Sequence, residues 1–180
     1  PFSIAMRSLQ REMIRRDPDW QEGNYAPGTG PITGMRLARK LGMVTYRSAR
    51  EWEQRFGRER VAEERQTGDA FALDFEVEAY LEHQAQRFAD AFDANCYLYL
   101  SRAMDNFDLA DHGDGSLAAA FAKFQVRRAL VLGVETDMLF PIEQQREIAD
   151  HLRAAGRATV EYHAFPSLQG HDAFLVDLAR

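Results

Sequence analysis

The first two thirds of the sequence show the apolar spacing of amphipathic helices. Apolar residues recur every three or four positions, which places them on one face of a helix. The clearest stripe runs from Val77 through Tyr80, Ala85 and Phe88 to Phe92, with acidic and amide side chains between its members. We expect this helix to pack one face against other helices. Further helices are predicted over residues 4–16 and 35–41, one or two over 47–65, and another over 97–104.

Proline and glycine residues separate these helices. The Asp17-Pro18 pair predicts the end of the first one, because a residue before proline avoids the helical backbone conformation. Residues 19–34 hold four glycines and two prolines, which predicts a loop before the second helix. Gly42 is predicted to end that second helix. Residues 66–69 predict a flexible turn, and residues 111–115 predict a loop.

The pattern changes in the last third of the chain. Residues 129–134, ALVLGV, are a short apolar run of the kind found in a strand buried on both faces. A helix beginning at Pro141 follows, then a second strand over 159–165 and a short helix over 172–178. The order strand, helix, strand, helix predicts a parallel sheet with crossover helices. The sequence therefore predicts an α/β fold in which a helical layer precedes the last two strands of the sheet.

Composition and charge limit the classes of protein to which the chain can belong. The chain has 180 residues, 46% of them hydrophobic, and a net charge of −6, which predicts a folded, soluble protein. The negative charge argues against a nucleic-acid partner or an anionic membrane, and no apolar run approaches the roughly 18 residues of a membrane span. Cys96 is the one cysteine, so no disulfide can form within the chain, which favours the cytoplasm. The first residue is Pro1 rather than methionine, which suggests a fragment.

Two side chains after the predicted strands are candidates for catalysis. Asp137 lies three residues beyond the first strand and His171 six residues beyond the second. Because a right-handed crossover brings the carboxyl ends of the strands to one edge of the sheet, these side chains can meet. A carboxylate on one imidazole nitrogen fixes the tautomer and leaves the other nitrogen to act as a base. Two plainer interpretations stay open, with Asp137 as a turn or cap residue and His171 as a polar surface group.

A histidine base of this kind serves a nucleophile, and the sequence holds no obvious one. None of the six serines has a glycine at both positions that a nucleophile elbow requires. Cys96 lies in an aromatic helix, where a small structural filler is the favoured interpretation. In α/β-hydrolases the triad runs Ser, Asp, His along the chain, so we expect the serine upstream of Pro1. The five histidines lack the spacing of a metal site, and no phosphate-binding glycine motif occurs.

Several longer stretches of the sequence match one known family. They are FEVEAYL at 75–81, residues 87–100, RAMD at 102–105 with FDL at 107–109, Gly34-Met35 with Ala38-Arg39, TYRS at 45–48, FGR at 56–58, Asp137 with Leu139-Phe140-Pro141, and GHDAFL at 170–175. They follow one another along nearly the whole chain, and together they resemble the homoserine O-acetyltransferase family.

The resemblance implies the C-terminal part of an α/β-hydrolase fold with a helical lid inserted before the last strands. Residues 1–30 would form a helix and loop leading to the lid, residues 31–108 the lid, and residues 109–180 the C-terminal part of the core. The lid usually contributes to a homodimer in this family, so we expect a homodimer. We also expect the chain to fold well only with the missing N-terminal part of the same protein.

The implied activity is transfer of an acetyl or succinyl group from coenzyme A to the side-chain hydroxyl of homoserine or serine. No cofactor is implied, since acetyl-CoA or succinyl-CoA is a substrate. The route is ping-pong, in which an upstream serine takes the acyl group with His171 as its base and Asp137 as the orienting carboxylate. Asp172 would bind the substrate's amino group and Arg39 its carboxylate, which suits their charges. From the residues alone, Arg39 fits a solvated helix face and Asp172 a helix cap.

Two rival functions stay open. Another α/β-hydrolase, such as an esterase, would use water as the acceptor in place of the amino acid. A non-catalytic helical interaction fragment is the second rival, since the nucleophile is absent from the 180 residues. For the same reason, we expect the 180-residue chain to be inactive by itself.

Overall fold

The computed structural model of the chain describes residues 1–65 and 68–177. These residues group into two compact units, each with its own cluster of buried apolar side chains. The first unit contains Pro1–Thr45 and Ala49–Asp105, and the second contains Tyr46–Ser48 together with the chain from Asn106 onward.

The first unit is helical, as the apolar periodicity predicts. Ile14, Met35 and Ala38 are buried and form its core with Ala89 and Ala94. Full burial of a side chain the size of Ile14 contributes about 1.5–3 kcal/mol to stability. Among the described residues its α-helices are α1 (Phe2–Arg15), α2 (Ile32–Val44), α3 (Ala49–Phe56), α4 (Glu76–Ala89) and α5 (Ala94–Asn106), and 3₁₀ helices span Pro18–Gly23 and Glu63–Arg65.

Gly34 allows α1 and α2 to approach each other closely. A Cβ atom at this position would lie 2.6 Å from the carbonyl oxygen of Met13 and 2.8 Å from Cα of Ile14. The Gly34 amide also donates a hydrogen bond to Oδ2 of Asp17, at 2.7 Å. The packing of the two helices at this point therefore depends on the missing side chain of Gly34.

Two predicted helix ends differ from the structure. The helix predicted to stop at Gly42 continues to Val44, and it ends at Thr45, whose hydroxyl donates to the carbonyl oxygen of Gly42 at 2.7 Å. The prediction was wrong because Gly42 is buried, and tertiary packing overrides the weak preference of glycine against a helix. Phe92 lies beyond the end of α4 and stacks on Phe88, with 5.2 Å between the ring centroids.

Of the two predicted loops that follow, the structure describes one in full and the other only in part. The loop predicted over residues 111–115 is in part a 3₁₀ helix, Leu109–Gly113, followed by Asp114 with a left-handed backbone at φ 54°. Of the turn predicted over residues 66–69, Gln66 and Thr67 lie outside the described residues. Every helix of the described chain is too short or too polar to cross a membrane.

The second unit contains the predicted strand, helix, strand, helix order, which is confirmed. Its two strands pair in parallel, and the register runs from Arg128 opposite Thr159 to Val134 opposite Phe165. The last helix was predicted to reach Leu178, which lies outside the described residues. In chain order the elements are α6 (Leu117–Ala122), β1 (Arg128–Val134), α7 (Ile142–Ala154), β2 (Thr159–Phe165) and α8 (Ala173–Val176), with 3₁₀ helices at Leu109–Gly113 and Gly170–Asp172.

Only one face of β1 is covered in this structure. Val131 is buried against Phe121 of α6 and Leu152 of α7. Leu130 and Leu132 are 60% and 61% exposed. Burial on both faces was predicted, and the described helices cover the face that carries Val131, because successive side chains of a strand point to opposite faces.

Candidate active site

The loops that follow β1 and β2 are joined by hydrogen bonds. The amide of Glu135 donates to the carbonyl oxygen of Phe165 at 3.1 Å, which extends the ladder by one residue. The Thr136 hydroxyl donates to the carbonyl oxygen of Ser167 at 2.7 Å and accepts from the amide of Gly170 at 3.2 Å. These bonds bring the residue before Asp137 next to the residue before His171.

The side chains of Asp137 and His171 meet at this edge of the sheet. Nδ1 of His171 lies 2.9 Å from Oδ2 of Asp137. The other carboxylate oxygen, Oδ1, accepts from the amides of Leu139 at 2.8 Å and Phe140 at 3.0 Å. The Asp137 side chain is only 8% exposed. Its carboxylate is therefore held by the backbone on one side and by the imidazole on the other. Oδ1 therefore fits the turn interpretation of Asp137, and Oδ2 makes the contact with His171 that the topology predicted.

The pKa values of the two side chains shift in opposite directions. Burial by itself would raise the pKa of Asp137, but hydrogen bonds from His171 and from the amides of Phe140 and Leu139 lower it on balance. The hydrogen bond to Asp137 raises the pKa of His171, and the negative charges of Asp137 and Asp172 add to this rise while burial opposes it. Both shifts favour a carboxylate beside an imidazolium.

Three aromatic rings surround the imidazole. The ring centroid of Phe140 lies 4.9 Å from that of His171, at a nearly perpendicular angle of 82°. The rings of Tyr46 and Phe174 lie 6.0 Å away. Because the Asp137 carboxylate can only accept a hydrogen bond, Nδ1 of the neutral ring carries the hydrogen and Nε2 carries the free lone pair. With 22% of its side chain exposed, His171 is neither fully buried nor a free surface group.

Asp172 lies beside the imidazole but has a partner of its own. Its Oδ2 is 3.1 Å from Nε of Arg47, and its amide donates to the carbonyl oxygen of Tyr46 at 3.1 Å. It precedes α8, yet its side chain makes no capping hydrogen bond to that helix. The helix-cap interpretation of Asp172 is therefore wrong. Its carboxylate instead forms an ion pair with Arg47.

Arg39 belongs to the first unit, whereas Asp137, His171 and Asp172 belong to the second. The guanidinium of Arg39 lies over the ring of Phe88, with its central carbon 4.4 Å from the ring centroid. A cation stacked on an aromatic face is only partly solvated. The simple solvated-face interpretation therefore does not describe this arginine.

Sequence reasoning missed the residues that hold the histidine loop. Arg47 bonds to the side chain of Gln169 as well as to Asp172, and the Ser48 hydroxyl donates to the carbonyl oxygen of Leu168. Arg47 and Gln169 are 122 positions apart in the sequence. No local pattern could have paired them. No group of three His, Cys, Asp or Glu side chains suited to a metal ion occurs within residues 1–65 and 68–177.

Solved structures define the class of fold. The homoserine O-acetyltransferase from Bacillus anthracis superposes with a TM-score of 0.82 at 24% identity, covering 98% of this chain and 46% of that one. Esterase E22 superposes with a TM-score of 0.79 at 20% identity, covering 99% of this chain and 48% of that one. The chain therefore has an α/β-hydrolase fold, and the predicted fold class is confirmed.

Sequence comparison finds similar proteins over the whole chain. No family model matches the chain. A protein named serine O-succinyltransferase, from Litchfieldella anticariensis, is 60% identical over 180 residues, covering all of this chain and 49% of that protein. The chain thus spans about half the length of this curated relative. Over its whole length the chain is a homologue of this protein named serine O-succinyltransferase, and the resemblance seen in its motifs is confirmed.

Proposed function

We propose that this chain supplies the histidine and the aspartate of an O-acyltransferase that acylates the hydroxyl of serine or homoserine. The observation that carries the proposal is the 2.9 Å contact between Nδ1 of His171 and Oδ2 of Asp137. Serine as acceptor and succinyl as acyl group are our first choice, because the relative at 60% identity is named serine O-succinyltransferase. Succinyl-CoA is then the donor substrate.

The reaction uses Nε2 of His171 twice. It first takes the proton of a nucleophilic serine, contributed by a part of the protein outside these residues, as that oxygen attacks the acyl carbonyl carbon. The carbon–sulfur bond breaks, the imidazolium returns the proton, and coenzyme A leaves as the thiol. Nε2 then takes the proton of the acceptor hydroxyl as its oxygen attacks the acyl-enzyme. The ester bond to the nucleophilic serine breaks, and the imidazolium returns the proton to that serine. Asp137 stabilises the imidazolium at both stages.

The raised pKa of His171 suits this role. A base whose pKa lies closer to that of the hydroxyl it deprotonates accepts the proton more readily. The hydrogen bond to Asp137 is the largest cause of that rise. The same bond stabilises the positive charge that forms when the proton arrives, so it lowers the barrier of both proton transfers.

Two charged side chains would bind the amino-acid acceptor. Arg39 presents a guanidinium fork that fits a carboxylate. Oδ2 of Asp172 pairs with Arg47, and its Oδ1 would accept a hydrogen bond from the substrate ammonium. We propose residues 31–108 as the lid, and a homodimer formed through it.

The direct test supplies the full-length protein with succinyl-CoA or acetyl-CoA and with L-serine or L-homoserine, and identifies the ester by mass. We expect O-succinylserine as the main product and its loss in His171→Ala. His163→Ala is the matched control, because His163 lies on β2 and has no part in the proposed site. Absence of an ester with every combination would contradict the proposal.

Hydrolysis is the second candidate, favoured by the likeness to esterase E22 over 99% of this chain. An esterase and a transferase share the acyl-enzyme and differ in the acceptor that removes the acyl group. The same assay separates them. Release of free succinate or acetate at a rate that the amino acid does not change would indicate the hydrolase.

A further inference from the structure

A short segment remote in sequence holds the loop that carries His171. We call Tyr46–Ser48 the strap. The Ser48 hydroxyl donates to the carbonyl oxygen of Leu168, and the Tyr46 carbonyl oxygen accepts from the amide of Asp172 at 3.1 Å. These bonds lie on both sides of His171 along the chain. The strap therefore holds the backbone before and after the imidazole.

Gly170 brings the strap into contact with the residue next to His171. Its φ is +66°, a left-handed conformation that side chains other than glycine rarely adopt. A Cβ atom there would lie 2.8 Å from the amide nitrogen of Ser48 and 3.0 Å from the carbonyl carbon of Arg47. The backbones of strap and loop thus touch where the loop turns to present the imidazole.

Arg47 links both ends of this turn with one side chain. One terminal nitrogen bonds to Oε1 of Gln169, and Nε lies 3.1 Å from Oδ2 of Asp172. A planar guanidinium holds two partners at a fixed spacing. Only 15% of the Arg47 side chain is exposed, so these bonds are partly shielded from water. Arg47 therefore contacts residues on both sides of His171.

We propose that Arg47 is a positioning residue for His171. By fixing Gln169 and Asp172 together, it keeps the loop in the conformation that places Nδ1 on Oδ2 of Asp137. The catalytic consequence rests on the proposed acyl transfer, whereas the effect on the Asp137–His171 hydrogen bond does not. Because Arg47 acts through the loop, its loss should lower kcat more than it changes KM. A misplacement of the imidazole by about 1 Å would lower kcat by about 10- to 100-fold.

The test compares variants of the full-length protein that separate geometry from charge. Arg47→Gln removes the fork and the charge, and Arg47→Lys keeps the charge without the fork. Gln169→Leu removes one of the two partners of Arg47, and it replaces Arg47→Gln in the test if that variant does not fold. Arg128→Gln is the matched control, because Arg128 forms an ion pair with Glu161 at 3.3 Å in the same unit but is 81% exposed.

Two measurements are made on each variant. Steady-state acyl transfer gives kcat and KM. One-dimensional proton NMR in water detects the downfield Nδ1 proton of the His171–Asp137 hydrogen bond, which is assigned by its absence in His171→Ala. Strong charge-assisted hydrogen bonds deshield their protons, so the resonance reports the contact itself. A merely structural arginine would lower the melting temperature and leave this resonance unchanged in the folded protein.

We expect Arg47→Gln to broaden or remove the resonance and to lower kcat about 10- to 100-fold, with a smaller change in KM because Asp172, the proposed ligand of the substrate ammonium, loses its ion pair with Arg47. Arg47→Lys and Gln169→Leu should fall between this variant and wild type, and Arg128→Gln should match wild type. Wild-type kcat and resonance in folded Arg47→Gln would overturn the inference. So would a raised KM at unchanged kcat, which would place Arg47 at the substrate. If the wild type transfers no acyl group, the proposed function fails and the resonance still decides the role of Arg47.

Discussion

The structure predicts the orientation that the side-chain amide of an asparagine at position 137 would take, which makes Asp137→Asn an informative change. Oδ1 of Asp137 accepts from the amides of Leu139 and Phe140, at 2.8 Å and 3.0 Å, whereas Oδ2 faces His171. An asparagine keeps both backbone hydrogen bonds only if its carbonyl oxygen takes the place of Oδ1. Its NH₂ group then points at the imidazole.

In that orientation the hydrogen-bond donor and acceptor between residue 137 and the imidazole are exchanged. The NH₂ group donates, so Nδ1 of His171 must accept, and the single proton of the neutral ring moves to Nε2. Nε2 then has no lone pair with which to deprotonate a hydroxyl. The opposite orientation would sacrifice two hydrogen bonds worth about 1 kcal/mol each, so it is disfavoured by about 2 kcal/mol.

This difference in free energy between the two orientations determines the expected loss of kcat. A preference of about 2 kcal/mol leaves roughly one molecule in 30 with a competent base, since about 1.4 kcal/mol is a factor of ten. The variant also loses the negative charge that stabilises the imidazolium. In a serine protease triad the same change lowers kcat about 10⁴-fold. We therefore expect kcat to fall at least about 30-fold, and toward 10⁴-fold when both effects act.

The assay is steady-state acyl transfer by the full-length protein, with circular dichroism and a melting curve to establish that the variant is folded. Asp150→Asn is the matched control, because Asp150 forms an exposed ion pair with Arg153 at 2.9 Å on α7. A folded Asp137→Asn variant with more than about a tenth of the wild-type kcat would refute the proposed role of the carboxylate.

Two further predictions concern stability. Gly34→Ala places a methyl group 2.6 Å from the carbonyl oxygen of Met13, so it should lower the free energy of unfolding by about 1–3 kcal/mol in a chemical denaturation experiment, and an unchanged midpoint would contradict the close approach. The raised pKa of His171 means that its pairing stabilises the fold fully below the ordinary value of 6.5 and less as pH rises through the raised value. The lowered pKa of Asp137 means that its contribution is present above the ordinary value of 3.8 and is lost as pH falls through the lowered one. The difference in unfolding free energy between wild type and His171→Gln should therefore be largest between these two ordinary values, and a difference that does not vary with pH would count against the pair.

The contact between Asp137 and His171 was accessible to sequence reasoning because it follows from general topology. Each residue lies a few positions after a strand, and parallel strands joined by a right-handed crossover end at the same edge. The contact between Arg47 and Gln169 was not accessible, since the two residues are 122 positions apart and local periodicity relates only neighbouring residues. Topology brings residues near each other at a strand end, but it does not determine which distant side chain holds a loop.

The sequence alone was enough for the helices of the first unit and for the strand, helix, strand, helix order of the second. Both depend on local periodicity, which the backbone hydrogen bonds of helices and strands impose on neighbouring residues. Packing between distant residues settled the rest. It extended a helix through Gly42, buried Val131 against α6 and α7, and placed Arg47 across the histidine loop. Each of these outcomes depends on contacts between residues far apart in the chain, and such contacts leave no repeating signal in the order of the amino acids.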